Sequence, residues 1–153
     1  MRKNIGISIY LGLFAFNMIY AKQTVSYYQS KGALIAGYDP VAYIKQNKAI
    51  KGQKDFEYKY DGTVIYFSSK ANQQAFIDNP EAYLPQYKGW CAYAMADNGD
   101  LVEIDPETFK VIDGKVYLFY KGWLGNTLKK WNKQDDSSQI EQANQHWQQK
   151  HKP

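Results

Sequence analysis

The sequence predicts a single α+β domain: two β-hairpins forming a small antiparallel sheet, packed with short helices and followed by a helical C-terminal third. Three observations carry this. Asp61-Gly62 and Asp113-Gly114 are tight-turn dipeptides set between strand-like runs. Asp39-Pro40 offers a helix cap followed by a proline at the first helical position. Beyond residue 124 the apolar residues recur at helical spacing.

In chain order, Ala33 to Ala36 is a short apolar entry and Pro40 to Gln46 a short helix. Phe56 to Tyr60 alternates apolar and polar residues, and Val64 to Phe67 resumes the strand after Asp61-Gly62, giving the first hairpin. Ser68 and Ser69 start a helix in which Ala71, Ala75 and Phe76 share a spacing; Asp78-Asn79-Pro80 stops it, and Glu81 to Leu84 adds one more turn. The run Trp90-Cys91-Ala92-Tyr93-Ala94-Met95 fits either a buried strand or a buried helical turn. Phe109 to Ile112 and Lys115 to Tyr120 make the second hairpin. Leu124, Leu128 and Trp131 then share a helical face, with Gly122 and Gly125 weakening its start. Ser138 with Glu141 reads as a capping box ahead of Ile140, Ala143 and Trp147.

Residues 1–21 have the build of a signal peptide: Arg2 and Lys3, an uncharged and mostly apolar run from Ile5 to Ile19, then Tyr20-Ala21 before polar residues. That run, about fifteen residues, is shorter than the roughly twenty a membrane-spanning helix needs. Cleavage after Ala21 is expected, and the bulky Ile19 leaves an uncleaved anchor as the second reading. The protein is therefore expected to be periplasmic or secreted, with residues 22–153 as one domain and no membrane attachment once the leader is removed. Loss of Arg2 and Lys3 would lower the formal charge of +4 by two, and the remaining lysines are scattered among acids. Nothing in that distribution points to nucleic acid. Aromatic residues make up 16% of the chain, enough to supply a core without disulfides and to leave a stacking surface for flat ligands as a lesser alternative.

The series Gly37-Tyr38-Asp39-Pro40-Val41-Ala42-Tyr43, Tyr60-Asp61-Gly62, Tyr66-Phe67-Ser68-Ser69, Asn79-Pro80-Glu81-Ala82-Tyr83 and Pro85-Gln86-Tyr87-Lys88-Gly89-Trp90-Cys91-Ala92-Tyr93 resembles the YHS domain family, closest to its small exported bacterial branch. The resemblance continues through Val111 to Leu118 and the helix around Trp131. It implies a small α+β module that works beside metal-handling proteins such as copper-transporting ATPases. In metal-binding relatives, cysteines occupy the positions that here hold Ala42, Ser68 and Asn72. Ala42 has no donor atom, and the other two offer neutral oxygens in place of thiolates, so a soft-metal site from that set is lost. His146 and His151 do not replace it, because a spacing of i and i+5 sets them about 140° apart around a helix.

Cys91 is the only cysteine. In an oxidising compartment a lone thiol is a small core residue, a reactive group or a link to a partner. Asp39 is a helix cap or a carboxylate facing Cys91. Tyr38, Tyr43, Tyr87 and Trp90 either line a pocket between those two residues or pack the core. Two functional readings stay open: an exported, non-catalytic binding or accessory module for metal or small-ligand handling, which would engage a small ligand or an exported partner protein, and a thiol-dependent redox or sensor protein using Cys91. The sequence names no cofactor; a metal ion enters only through the resemblance. It also identifies no catalytic residue.

Overall fold

A computed structural model of the chain describes residues 24–151, so the leader expected over residues 1–21 lies outside the described residues. The chain begins with a minimal hairpin, β1 (Gln29–Ser30) and β2 (Ala33–Leu34), followed by a tight left-handed turn over Ile35–Gly37. Helix α1 (Pro40–Gln46) starts on Asp39 and has Pro40 in its first turn, where the missing N–H costs nothing.

Strands β3 (Gln53–Tyr60) and β4 (Thr63–Phe67) pair antiparallel across Asp61-Gly62. Both turn residues have positive φ, 45° and 74°, the geometry that matches the right-handed twist of the flanking strands. Helix α2 (Lys70–Asp78) is capped by Ser69, whose side chain accepts from the Asn72 N–H. A single 3-10 turn over Pro80–Ala82 stands where the extra helical turn was expected. The ambiguous run around Cys91 resolves as helix α3 (Ala92–Asp97), with Cys91 just before it.

The second long hairpin, β5 (Asp105–Ile112) and β6 (Lys115–Phe119), repeats the same turn, with Asp113 at φ 49° and Gly114 at φ 71°. A small hairpin of β7 (Lys121–Gly122) and β8 (Gly125–Asn126) follows, then helix α4 (Thr127–Trp131) and the long helix α5 (Asp136–Lys150).

The α+β class holds, with both expected hairpins present. They do not join into one sheet, however: each hairpin is its own two-stranded unit, and side-chain packing holds them together. Two further differences concern the C-terminal third. Leu124 lies at the apex of the β7–β8 hairpin, not on a helix, because the flanking glycines favour a turn and α4 starts only after Asn126, its cap, whose side chain accepts from the Leu128 and Lys129 N–H groups. The start of α5 is capped by Asp135, three residues before Ser138, and Ser138 is the donor to that cap.

Strand β6 explains how separate hairpins make one domain. Its side chains alternate, and both faces are covered. Val116 and Leu118 enter a core with Leu34, Val41, Tyr43, Phe67 and Phe76, while Tyr117 and Phe119 enter a second core with Met95, Trp131 and Ala143. Around Phe76 the rings of Tyr58, Tyr60 and Phe67 stand at centroid distances of 5.3–6.3 Å. At the second core, Asp136 accepts from Lys110 Nζ at 2.7 Å and from Trp131 Nε1 at 2.6 Å, tying α5 to β5 and α4.

Desolvation by itself would raise the Asp136 pKa. The hydrogen bonds from Lys110 and Trp131, with the Lys110 charge, outweigh it and hold the carboxyl below its ordinary value of 3.8. A lowered folded-state pKa gives stability that is present above the unfolded value and lost as pH falls through the folded one. Asp136→Asn should therefore flatten the acid limb of the stability profile below about pH 4, measured by urea unfolding across a pH series, while leaving the neutral-pH slope with denaturant unchanged.

Candidate functional site

Asp39 is wholly buried. Its position follows from local sequence: Pro40 fixes the first helical φ, and the residue before it adopts extended backbone (φ −74°, ψ 112°) suited to capping. One carboxylate oxygen, Oδ1, accepts from the N–H groups of Val41 at 2.8 Å and Ala42 at 3.4 Å. The other, Oδ2, reaches across to the start of α2, where it accepts from Ser68 N–H at 2.8 Å, Ser68 Oγ at 2.6 Å and Asn72 Nδ2 at 2.7 Å. Asn72 Nδ2 also contacts Ser68 Oγ at 3.3 Å. The carboxylate thus sits between the N-terminal ends of two helices, with all its accepting capacity used by donors of the chain itself.

The three positions at which the resemblance implies cysteine ligands, Ala42, Ser68 and Asn72, converge on this carboxylate. What they supply is a backbone N–H, a hydroxyl and an amide N–H, all pointing as donors toward an anion. A cation needs the opposite polarity, and a soft one needs sulfur. The residues present do not fit a thiolate-bound metal. Among the described residues no group of three or more His, Cys, Asp or Glu side chains is placed to hold one.

Cys91 is also wholly buried, just before α3. Tyr120 N–H donates to its sulfur at 3.4 Å, and Thr127 Oγ1 lies 3.5 Å from it. Because the Thr127 hydroxyl donates to the Tyr120 carbonyl at 3.0 Å, its oxygen is left to accept, and the Cys91 thiol hydrogen has a partner there. This bonding engages the sulfur wholly within the fold. It fastens α3 to the root of the β7–β8 hairpin.

No hydrogen bond joins Asp39 to Cys91, and neither lines any of the five main surface cavities. Both are buried, and the pocket expected between them is not among these cavities. Lys88 stands over the Tyr27 ring, its Nζ 4.9 Å from the centroid.

The aromatic candidates divide. Tyr43 is fully buried and donates to the Pro106 carbonyl at 2.8 Å, and its ring meets Phe109 edge-on at 4.8 Å. Tyr38 donates to Glu107 at 3.0 Å. Both bonds land on the bulge that interrupts β5 between Asp105 and Phe109. Tyr87 lies in the other core and donates to Asn144 Oδ1 on α5 at 3.1 Å. Trp90, half-buried, donates to the Ser26 carbonyl at 3.0 Å and packs on Tyr28. Burial pushes the phenols of Tyr43 and Tyr87 far above the ordinary range, and burial together with the Glu107 carboxylate raises Tyr38. The two histidines are structural: His146 bonds to the Met95 carbonyl at 2.8 Å and His151 to the Gly99 carbonyl at 2.6 Å, pinning α5 to the end of α3.

Two of these residues reach surface cavities: Tyr87 lines one of about 220 Å³, and Tyr38 faces a larger groove. This groove, about 440 Å³, is lined by Lys31, Lys51 and Lys121 and by Asp105 and Glu107, with Tyr28 and Tyr38. Sequence reading missed the charged residues because they come from four separate segments. Thr127 and Tyr120, the partners of Cys91, were hidden for the same reason.

Residues 41–87 match the YHS domain family, and a YHS domain is present over that stretch. The matched region includes Ala42, Ser68 and Asn72; Asp39 lies just before it and Cys91 just after. No curated protein and no solved structure matches the chain.

If Asp39 is the closing bond of this domain, Asp39→Ala should lower unfolding free energy by about 3–5 kcal/mol, since it strands buried donors in both helices. Asp39→Asn should recover little, because its amide N–H would oppose other donors, whereas Ser68→Ala should cost only about 1–2 kcal/mol. Urea titration of the three variants checks the order.

Proposed function

We propose that this protein is an exported, non-catalytic binding or accessory module in which a hydrogen-bonded carboxylate takes the place of a metal-holding centre. The observation that carries this reading is the closure of Asp39 by donors from Val41, Ala42, Ser68 and Asn72. The centre that thiolate-bearing relatives would use for an ion is occupied by the fold's own bonding. The redox alternative draws no support from Cys91, whose sulfur is buried and bonded within the fold.

Ligand contact is assigned to the groove beside Tyr38. Its lysines and carboxylates suit a small ligand carrying both signs of charge, and its hydroxyl and backbone groups can orient such a ligand. Export rests on the charge and length of the 1–21 segment.

Two measurements test the reading. Cys91 should resist alkylation in the folded protein and label fully in denaturant, and titration with copper or zinc should show no stoichiometric uptake; rapid native labelling would favour the redox protein, and tight uptake abolished by Asp39→Ala would favour a metal module. In a thermal-shift screen of zwitterionic small molecules, any that stabilises the wild type should lose its shift in the Lys51→Ala and Glu107→Gln variants, with Gln145→Ala, which lines a different cavity, as the control.

A further inference from the structure

Trp123 is 90% exposed and Leu124 is 64% exposed, side by side at the apex of the β7–β8 hairpin. Tight-turn apices normally carry Asn, Asp or Gly, as in both long hairpins of this chain. An apex is also where apolar side chains have least chance of burial within their own domain.

This tip is held in place. Gly122 lies against the Tyr120 side chain so closely that a Cβ there would overlap its hydroxyl, and Leu124 N–H points to that hydroxyl at 3.5 Å. At the base, Thr127 donates twice to the Tyr120 carbonyl, and Cys91 bonds both Thr127 and Tyr120. A hairpin clamped at its root to a buried core presents its two apolar residues in a set position.

The segment that carries the tip has charge of one sign along the sequence, although Asp105 lies close to Lys121 at its base. From Lys121 to Lys133 the chain carries Lys121, Lys129, Lys130 and Lys133 and no Asp or Glu. All four lysines are exposed, with Lys121 lying 3.9 Å from Asp105 and Lys130 placed over the Tyr93 ring.

We infer that the Trp123-Leu124 hairpin tip docks the protein onto an anionic lipid surface. Trp is at home at the boundary of headgroups and acyl chains, Leu partitions below it, and lysines beside an inserting tip gain from anionic headgroups. A protein partner is the weaker occupant. Stable protein interfaces bury about 800 Å² per side around a packed centre, and a convex tip of two side chains offers far less. No helix among the described residues is long and apolar enough to cross a membrane. A two-residue tip leaves no such signature.

The test uses the full chain, so that the Ile5 to Ile19 run is common to every variant and differences isolate the tip. Vesicles of phosphatidylcholine alone or mixed with phosphatidylglycerol, with and without brominated acyl chains, are the probe. The emission that distinguishes wild type from Trp123→Phe should shift to the blue and be quenched by brominated chains in the anionic vesicles. Trp123→Ser with Leu124→Ser should lower partitioning roughly tenfold. Lys129→Glu with Lys130→Glu should remove the preference for anionic lipid, and added salt should weaken it in the wild type. Circular dichroism and melting midpoints should not change, since all four positions are exposed. The inference is overturned if Trp123 stays open to acrylamide and untouched by brominated chains, if the tip variant partitions like wild type, or if Trp123 is shielded only when a protein partner is added.

Discussion

The rest of the structure depends on one buried carboxylate. Asp39 caps the helix that follows it, as Asp before Pro commonly does, but its second oxygen also binds Ser68 and Asn72 at the head of α2. A buried charge is tolerated only when fully hydrogen-bonded, so its donors must all be in place together. That requirement fixes the relative position of two helices and of the hairpin between them. It also makes the centre polar in the sense that favours an anion, which is why the cysteine-free YHS domain of this chain has no place there for a cation.

Around that centre, order comes from packing. No strand ladder joins the hairpins to one another, and what unites them is chiefly β6, buried on both faces and contributing alternate residues to two cores. Cys91 has a comparable linking role on a smaller scale. Its sulfur stands between α3, the end of β6 and the start of α4, and it helps brace the hairpin that carries Trp123. A solitary thiol can thus be accounted for by the positions of its neighbours, without chemistry of its own.

Because the groups with the greatest chemical potential are spent on structure, the features open to partners lie at the surface. The groove beside Tyr38 offers both signs of charge on a well-held bulge, and the β7–β8 tip offers two apolar side chains beside lysines. They adjoin at Lys121 but differ in chemistry, compatible with a module that is held at one place and binds beside it.

Much of the fold was legible in the residues alone. Asp61-Gly62 and Asp113-Gly114 specify their turns because both positions need positive φ, and Asp39-Pro40 specifies a capped helix, since these outcomes are settled within a few bonds of the residues concerned. The same local logic misplaced the cap of α5 at Ser138 and put Leu124 on a helix, where competing signals lay within a few residues and packing chose between them. Whether the hairpins share a sheet, which groups meet the second oxygen of Asp39, and that Cys91 lies buried beside Thr127, 36 residues away, were decided by the tertiary structure. Such contacts join segments whose approach depends on burial of the whole chain, and no local pattern encodes the distance between them.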